Sequence, residues 1–501
     1  MIPKTQRAVQ LVGPDRLILN EAKVVPMPGP YQVLCKVEVC GLCFSDLKLL
    51  KQFNSHLRKC EIVSGLDPQV LAEIPSYVPG DKPTVPGHET VVRVVAAGEK
   101  VRHARVGGRY LVQTDYRWLP TPGSCAAFGY NFEGALQEYV LMDERVITAP
   151  DGESMLLPVP EDISASAIAL VEPWACVENA YAQVQRRHPK DGGKRLVVGN
   201  GGASPNAIPP EQFDDVIYFG SDPDVVEKLF PHVANNGLLI ICQCGGRFGR
   251  PVTTPVGRVH YGNIRIAGTV GGDVTAALAT IPATSEVRAG DSVNVIGAAG
   301  PMGMMHVIRA LSLGLAGVRV FAGDITDERL AVLRRICEPL ARTNGVELHP
   351  YNPQSAPLCQ ACTYIVIMAP VPALVTQAVQ DAAPGAIINI FAGIPVDKTA
   401  MVDLDAYIAK QLYFIGTSGS VLDDMKAVLA RVINGRLNTN LSVAAVSGLD
   451  GAIEGIRAVE KNLLPGKILV YPDCKGLGLT PLGEQVWNKA AEDALLARFR
   501  K

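Results

Sequence analysis

The chain has 501 residues, 48% hydrophobic and 19% charged, a balance that suits two or three packed domains and excludes a disordered polymer. Its formal net charge of -2 offers no field to draw nucleic acid or an anionic membrane surface. No run of about 18 apolar residues is free of charge or proline, and the closest stretch, 364–379, is broken by Pro370 and Pro372, so no membrane span is expected.

At the N-terminus, MIPKTQRAVQLVG has no apolar core behind its basic residues, which argues against a secretory leader. The 12 cysteines are scattered and form no disulfide framework, so free thiols and a cytoplasmic location are expected. Up to about residue 185, short alternating runs such as 32–39 and 89–95 are punctuated by Gly and Pro, which predicts a β-rich domain. From about residue 194 the texture changes: apolar runs end in glycine clusters and lead into helical patterns, as strands of a parallel sheet do. Examples are 196–198, 293–296, 318–321 and 387–391.

The chain also repeats itself. Shifted by 148 residues, 216–219 falls on 364–367, Gly237-Leu-Leu-Ile-Ile on Gly385-Ala-Ile-Ile-Asn, and Gly268-Thr-Val-Gly on Gly416-Thr-Ser-Gly. Further upstream, Leu196-Val-Val-Gly199-Asn-Gly-Gly matches Asn294-Val-Ile-Gly297-Ala-Ala-Gly at a shift of 98, so the first copy lacks about 50 residues of the second. The expected layout is a β-rich domain over 1–185 completed by 436–501, a degenerate copy over 194–272 and a dinucleotide-binding α/β domain over 285–435.

In the second copy the strand 293–296 runs into Gly297-Ala298-Ala299-Gly300-Pro301-Met302-Gly303 and then a helical pattern. Gly300 lets backbone approach a pyrophosphate, Gly303 lets helix pack on strand, and the helix N-terminus faces the phosphate charge. Ala298 stands where the first glycine of G-x-G-x-x-G would be, leaving the turn to Gly297. The next strand ends in Asp324, a carboxylate suited to ribose hydroxyls and repelled by a 2′-phosphate, which favours NAD(H) over NADP(H). In the first copy, prolines after Gly199-Asn-Gly-Gly stop any helix beyond its first turn, so no cofactor is expected there.

Three separated elements of the β-rich domain carry thiol, imidazole and carboxylate: Gly41-Leu-Cys43-Phe-Ser45-Asp46, Pro86-Gly-His88-Glu89 and Val171-Glu172-Pro173. Such a set suits zinc with an open position, and a Lewis acid is what alkoxide formation needs during hydride transfer. Each residue alone has an ordinary structural reading, and Cys35 and Cys40 belong to that class.

These elements, with Val106-Gly-Gly-Arg109-Tyr, Gly134-Ala-Leu-Gln-Glu138-Tyr139-Val140, Gly300-Pro-Met-Gly303 and Gly466-Lys-Ile-Leu-Val, resemble the zinc-dependent medium-chain dehydrogenases of the alcohol dehydrogenase superfamily. The resemblance implies an α/β protein with a GroES-like catalytic domain and a Rossmann doubly wound sheet, here with an additional degenerate Rossmann-like copy. It implies zinc on Cys43, His88 and either Glu172 or Glu89, a proton-relaying hydroxyl at Ser45 and an orienting carboxylate at Asp46. It adds Ala369, Gly393, Thr417 and Ser418 to the cofactor contacts. The stretch 110–140 holds only Cys125, so the four-cysteine structural zinc of many members is not expected.

Gly416-Thr-Ser-Gly-Ser, Asp423-Asp-Met, Leu479-Thr-Pro-Leu-Gly-Glu484 and Gly129-Tyr-Asn-Phe resemble the L-sorbose 1-phosphate reductase group, which implies a polyol, sugar or sugar phosphate as substrate and makes Lys48 the candidate cation for a phosphate. The rival readings are a threonine-type or simple secondary-alcohol dehydrogenase and, in another class, a silent dinucleotide-binding sensor. The expected partner is a small molecule, in a homo-oligomer or in a monomer that imitates a dimer internally.

Overall fold

The computed structural model describes residues 2–417 and 419–499, which divide into two compact units. One is formed by 1–175 with 421–501, the other by 176–420. Among the described residues no helix is long and apolar enough to cross a membrane.

The first unit is built on an eight-stranded sheet whose centre is the pair Gln32–Gly41 and Glu89–Ala97, antiparallel and buried almost throughout. The C-terminal segment returns to it: Lys467–Val470 lies antiparallel on the other side of Gln32–Gly41, pairing Leu469 with Gly41 and Val470 with Cys40. Gly41 also faces Glu89 across the neighbouring strand. The three strands thus bring positions about 50 and 380 residues apart into one lateral row, a juxtaposition fixed by sheet register. The stretch 110–140 forms a small hairpin, Asp115–Thr121 with Ser124–Ala127.

The second unit holds two all-parallel sheets. The larger runs Glu347–Tyr351, Arg319–Gly323, Ser292–Ile296, Cys362–Ile367, Ala382–Ile390, Tyr413–Ile415. In chain order that is 3-2-1-4-5-6, the doubly wound order whose switch point lies between the first and fourth strands. The smaller runs Arg195–Val198, Phe213–Phe219, Val233–Cys242, Arg265–Thr269. Apolar residues of both sheets belong to one continuous core, from Leu196 to Phe414. The expected layout set 194–272 apart from 285–435, with outer limits near 185 and 436; both segments contribute to this one core and lie within the unit 176–420.

Inside this unit the helix Pro301–Ser312 carries His306, fully buried, with Tyr181 Oη 2.7 Å from its Nδ1 and Phe391 edge-on at 4.5 Å. Burial, with Arg309 adding to it, pulls the imidazole down to about 3. Its folded value lies below the unfolded one, so the unfolded chain takes up the proton first. Stability from this group is complete above about pH 6.5 and falls by up to about 1.4 kcal/mol per unit as pH drops toward 3. Denaturant midpoints measured between pH 7 and 4 should show that slope, and His306→Asn, which keeps a polar atom near Tyr181, should flatten it.

Candidate metal centre and dinucleotide loop

Gly87 sits at φ +95°, and a Cβ there would meet Cys40 Sγ at 2.7 Å. The left-handed turn it permits feeds His88 and Glu89 directly into the central strand. Cys43 caps the helix Phe44–Gln52, and Asp46 at its third position folds back so that Oδ2 accepts the Cys43 N–H at 3.0 Å. These two local devices bring Cys43, His88 and Glu89 together with candidate ligand atoms all within 4.8 Å of one another.

Around them the polar groups are ordered by role. Asp46 Oδ1 lies 3.2 Å from His88 Nδ1, and the Ser45 hydroxyl is 3.1 Å from Cys43 Sγ and 3.2 Å from His88 Nε2. Burial pulls the His88 imidazole down, but Asp46, Tyr130 and Cys43 outweigh it and hold the ring well above its usual value. Burial pushes Asp46 up, and His88 with the Cys43 N–H brings it below the usual carboxylate range. Lys467 Nζ pairs with Glu89 Oε1 at 2.5 Å, both groups buried, and its ammonium is raised because Glu89, Cys43 and Glu172 outweigh desolvation. Gly41 makes the room: a Cβ there would meet Glu89 Oε2 at 2.2 Å.

Glu172 stands in the first turn of the helix Val171–Ala182, buried, outside that tight group of three. Burial pushes its carboxyl up to about 7, His88 lowers it and Glu89 raises it, so it belongs to the same electrostatic neighbourhood. Among the expected carboxylate ligands the geometry therefore favours Glu89. Lys48 is exposed on the helix Phe44–Gln52, where its charge helps hold His56 down at about 4, after burial and Arg58.

Sequence reasoning missed Lys467 and Tyr130. A lone charge in the otherwise apolar run Lys467-Ile-Leu-Val was the available signal for the first. Tyr130 is buried with its ring 5.8 Å from His88 and 5.1 Å from His56, and its hydroxyl hydrogen-bonds Ser45. Nothing local in the sequence marks it.

The residues present fit a zinc ion. The donors are sulfur, nitrogen and oxygen. Glu89 Oε2 is buried and has no hydrogen-bond partner among the described residues, a cost that a cation would relieve. Asp46 is placed to orient His88, so Asp46→Asn should lower zinc affinity about 10–100-fold with the fold intact, read by competition with a chelating dye.

In the other unit, Gly297 has φ +84° and takes the turn left by Ala298. Its N–H and that of Ala298 donate to Gly323 O at 2.8 and 2.9 Å. Gly300 caps the helix Pro301–Ser312, with Pro301 and Met302 in its first turn; a Cβ on Gly300 would meet nothing closer than Gly297 O at 3.7 Å. A Cβ on Gly303 would meet that same oxygen at 2.2 Å. Space for a phosphate and close packing of the helix thus need glycine at different positions of one loop. Asp324 accepts the Ala299 N–H and the Thr326 N–H, both at 3.1 Å, so it also ties the loop to the second strand. Ala369 follows the fourth strand and Gly393 the fifth, and Thr417 Oγ1 hydrogen-bonds Asn179. Ser418 lies outside the described residues.

Residues 29–151 match the alcohol dehydrogenase GroES-like domain. The solved structure of 2R,3R-butanediol dehydrogenase from Bacillus subtilis superposes with a TM-score of 0.57 at 18% identity, covering 93% of this chain and 100% of that one. The L-sorbose 1-phosphate reductase of Klebsiella pneumoniae is 22% identical over 99% of this chain and 98% of its own.

Residues 29–151 are thus a GroES-like domain of the alcohol dehydrogenase type, and the whole chain is similar to zinc-type medium-chain dehydrogenases.

Another relative of the chain, the uncharacterised protein YggP of Escherichia coli (strain K12), is 30% identical over 247 residues. That match spans 42% of this chain and 58% of the relative.

Proposed function

We propose that this protein is a zinc-dependent, NAD-linked medium-chain dehydrogenase that interconverts a secondary alcohol and a ketone on a polyol, sugar or sugar phosphate. The single observation that carries the reading is the convergence of Cys43, His88 and Glu89 on one small volume beside the Ser45 hydroxyl. Zinc held there supplies a Lewis acid for the substrate oxygen.

The chain's own residues do the rest. Asp46 fixes the His88 ring through Nδ1, which leaves Nε2 as its ligating atom. The half-buried Ser45 hydroxyl, held by its hydrogen bond to Tyr130, takes the alcohol proton as it releases its own to solvent. The loop 297–303 binds the pyrophosphate and Asp324 the adenosine ribose, which supports NAD(H) over NADP(H). A sugar phosphate agrees with the full-length likeness to the Klebsiella reductase, and Lys48 is the cation nearest in sequence to the metal loop that could meet the phosphate.

A panel of polyols, ketoses and their phosphates, assayed by NADH absorbance with added zinc, tests this. Turnover should be confined to secondary alcohols or ketones of polyhydroxylated substrates and be faster with NAD(H) than with NADP(H). Turnover of threonine or of simple secondary alcohols alone would contradict the substrate class, and NADH binding with no turnover on any of them would make the chain a sensor.

A further inference from the structure

The two parallel sheets of the second unit are related by more than resemblance. Shifted by 148 residues, the strand Val252–Thr254 becomes Ala400–Val402 and the helix Val256–Tyr261 becomes Leu404–Ala409, with no change of length. A bulge interrupts the same strand pair in both sheets, between Phe213 and Asp215 in one and, one residue beyond the equivalent place, between Cys362 and Tyr364 in the other. The shared strands also follow the same lateral order in both sheets.

The contacts between the two copies have the form of a two-fold axis. Val252 pairs with Val402, Thr253 with Met401 and Thr254 with Ala400. Translated by the shift, each end of one strand meets the opposite end of its own counterpart, and the centre, Thr253–Met401, meets itself. Gly268 packs against Ile408, and Gly416 against His260, which is the same contact made twice with the copies exchanged. The Tyr407 hydroxyl sits between the two facing strands, donating to Ile266 O at 2.9 Å and accepting from Phe414 N–H at 3.0 Å, and Ile266 and Phe414 are themselves equivalent. Residue i touching j while j touches i is the signature of an isologous pair, the geometry by which identical subunits associate.

We propose that the four-stranded copy is a built-in partner: it occupies, within one chain, the place that a second copy of the nucleotide-binding sheet would take, so this sheet edge is closed and forms no dimer. The divergence at one pair of equivalent positions shows the edge is fitted to the internal copy. Asp405 accepts from Gln243 Nε2 at 2.6 Å and from Phe248 and Gly249 N–H at 3.0 Å each. Its equivalent, Gly257, lies against the matching turn of the other copy, where its N–H donates to Lys398 O at 3.2 Å and any Cβ would stand 2.0 Å from Pro395 O. Two six-stranded sheets pairing in this way would drive Asp405 into that carbonyl, so the homotypic contact is blocked while the internal one is satisfied. The four-stranded copy is also relieved of ligand duty. Among the described residues no helix follows the Gly199–Gly202 turn, so it offers no helix N-terminus to a phosphate.

Cysteines placed on the pseudo-axis test this in the full-length protein. Thr253 and Met401 stand directly opposite each other in an antiparallel pair, where Cβ atoms are about 4.5–5.5 Å apart, so the Thr253→Cys/Met401→Cys variant is placed to form a disulfide. Oxidised with diamide, which takes up the two electrons and two protons, it should run at the mass of one chain and yield a peptide linking 253 to 401. Met401→Cys alone should give no chain-to-chain product at that position. A dimer cross-linked through Cys at 401 in the single variant would mean that the edge faces a second chain, because a residue on a true two-fold axis faces itself. That product, or failure of the double variant to close within the chain, would overturn the proposal.

Discussion

Cys43→Ala and His88→Ala should each cost on the order of 10³-fold or more in turnover, about 4 kcal/mol of transition-state stabilisation, while NADH fluorescence titration gives nearly the wild-type affinity. The candidate metal ligands lie in the unit formed by 1–175 and 421–501, and the glycine loop in the unit 176–420, so a lesion in one leaves the other's contacts standing. The two substitutions differ in what they strand. Without the imidazole, buried Asp46 keeps the Cys43 and Gly87 N–H groups and the more distant Lys467 charge but loses its direct ionic partner, so His88→Ala should also lower the unfolding midpoint. Cys43→Ala removes a half-buried thiol and should unfold almost as the parent does. Near-normal turnover in either variant would remove the catalytic account.

Lys467→Met should have the second largest effect, on stability. Glu89 is 0% exposed and Lys467 5%, and Glu89 Oε1 has the ammonium as its partner. Removing one member of a buried pair leaves an uncompensated charge, which costs about 3–5 kcal/mol. Urea unfolding of the zinc-stripped protein should read that loss. Lys467→Met with Glu89→Gln should recover much of it, because the stranded carboxylate is gone. In zinc-loaded protein the single substitution should cost less, since a cation again stands beside Glu89. Additive losses in the double variant would mean that the ion pair is not the source of the effect.

What the sequence made legible was local. Cys43 and Asp46 share one helical turn, His88 and Glu89 are adjacent, and the loop 297–303 with Asp324 spans a strand, a helix and the next strand. Motifs of that range announce themselves through spacing and glycine placement. The choice between Glu89 and Glu172 was not legible, because the three-dimensional neighbours of a carboxylate depend on which strands pair and in what register. Lys467 belongs to the same class: it reaches Glu89 only because the C-terminal strand lies beside Gln32–Gly41 and Gly41 leaves a gap in the row. The likeness at a 148-residue shift was visible in the sequence, yet the union of both parallel sheets in one core was not. Periodicity says that a strand is buried and is silent about which sheet buries it.

The most direct test of the metal assignment is the zinc content of the purified protein measured by mass spectrometry of the element, for the parent and for Cys43→Ala and His88→Ala. The account predicts one zinc per chain in the parent and a large loss in each variant, with the chains still folded. Zinc retained in full by both variants, or a parent that binds none when zinc is supplied, would contradict it.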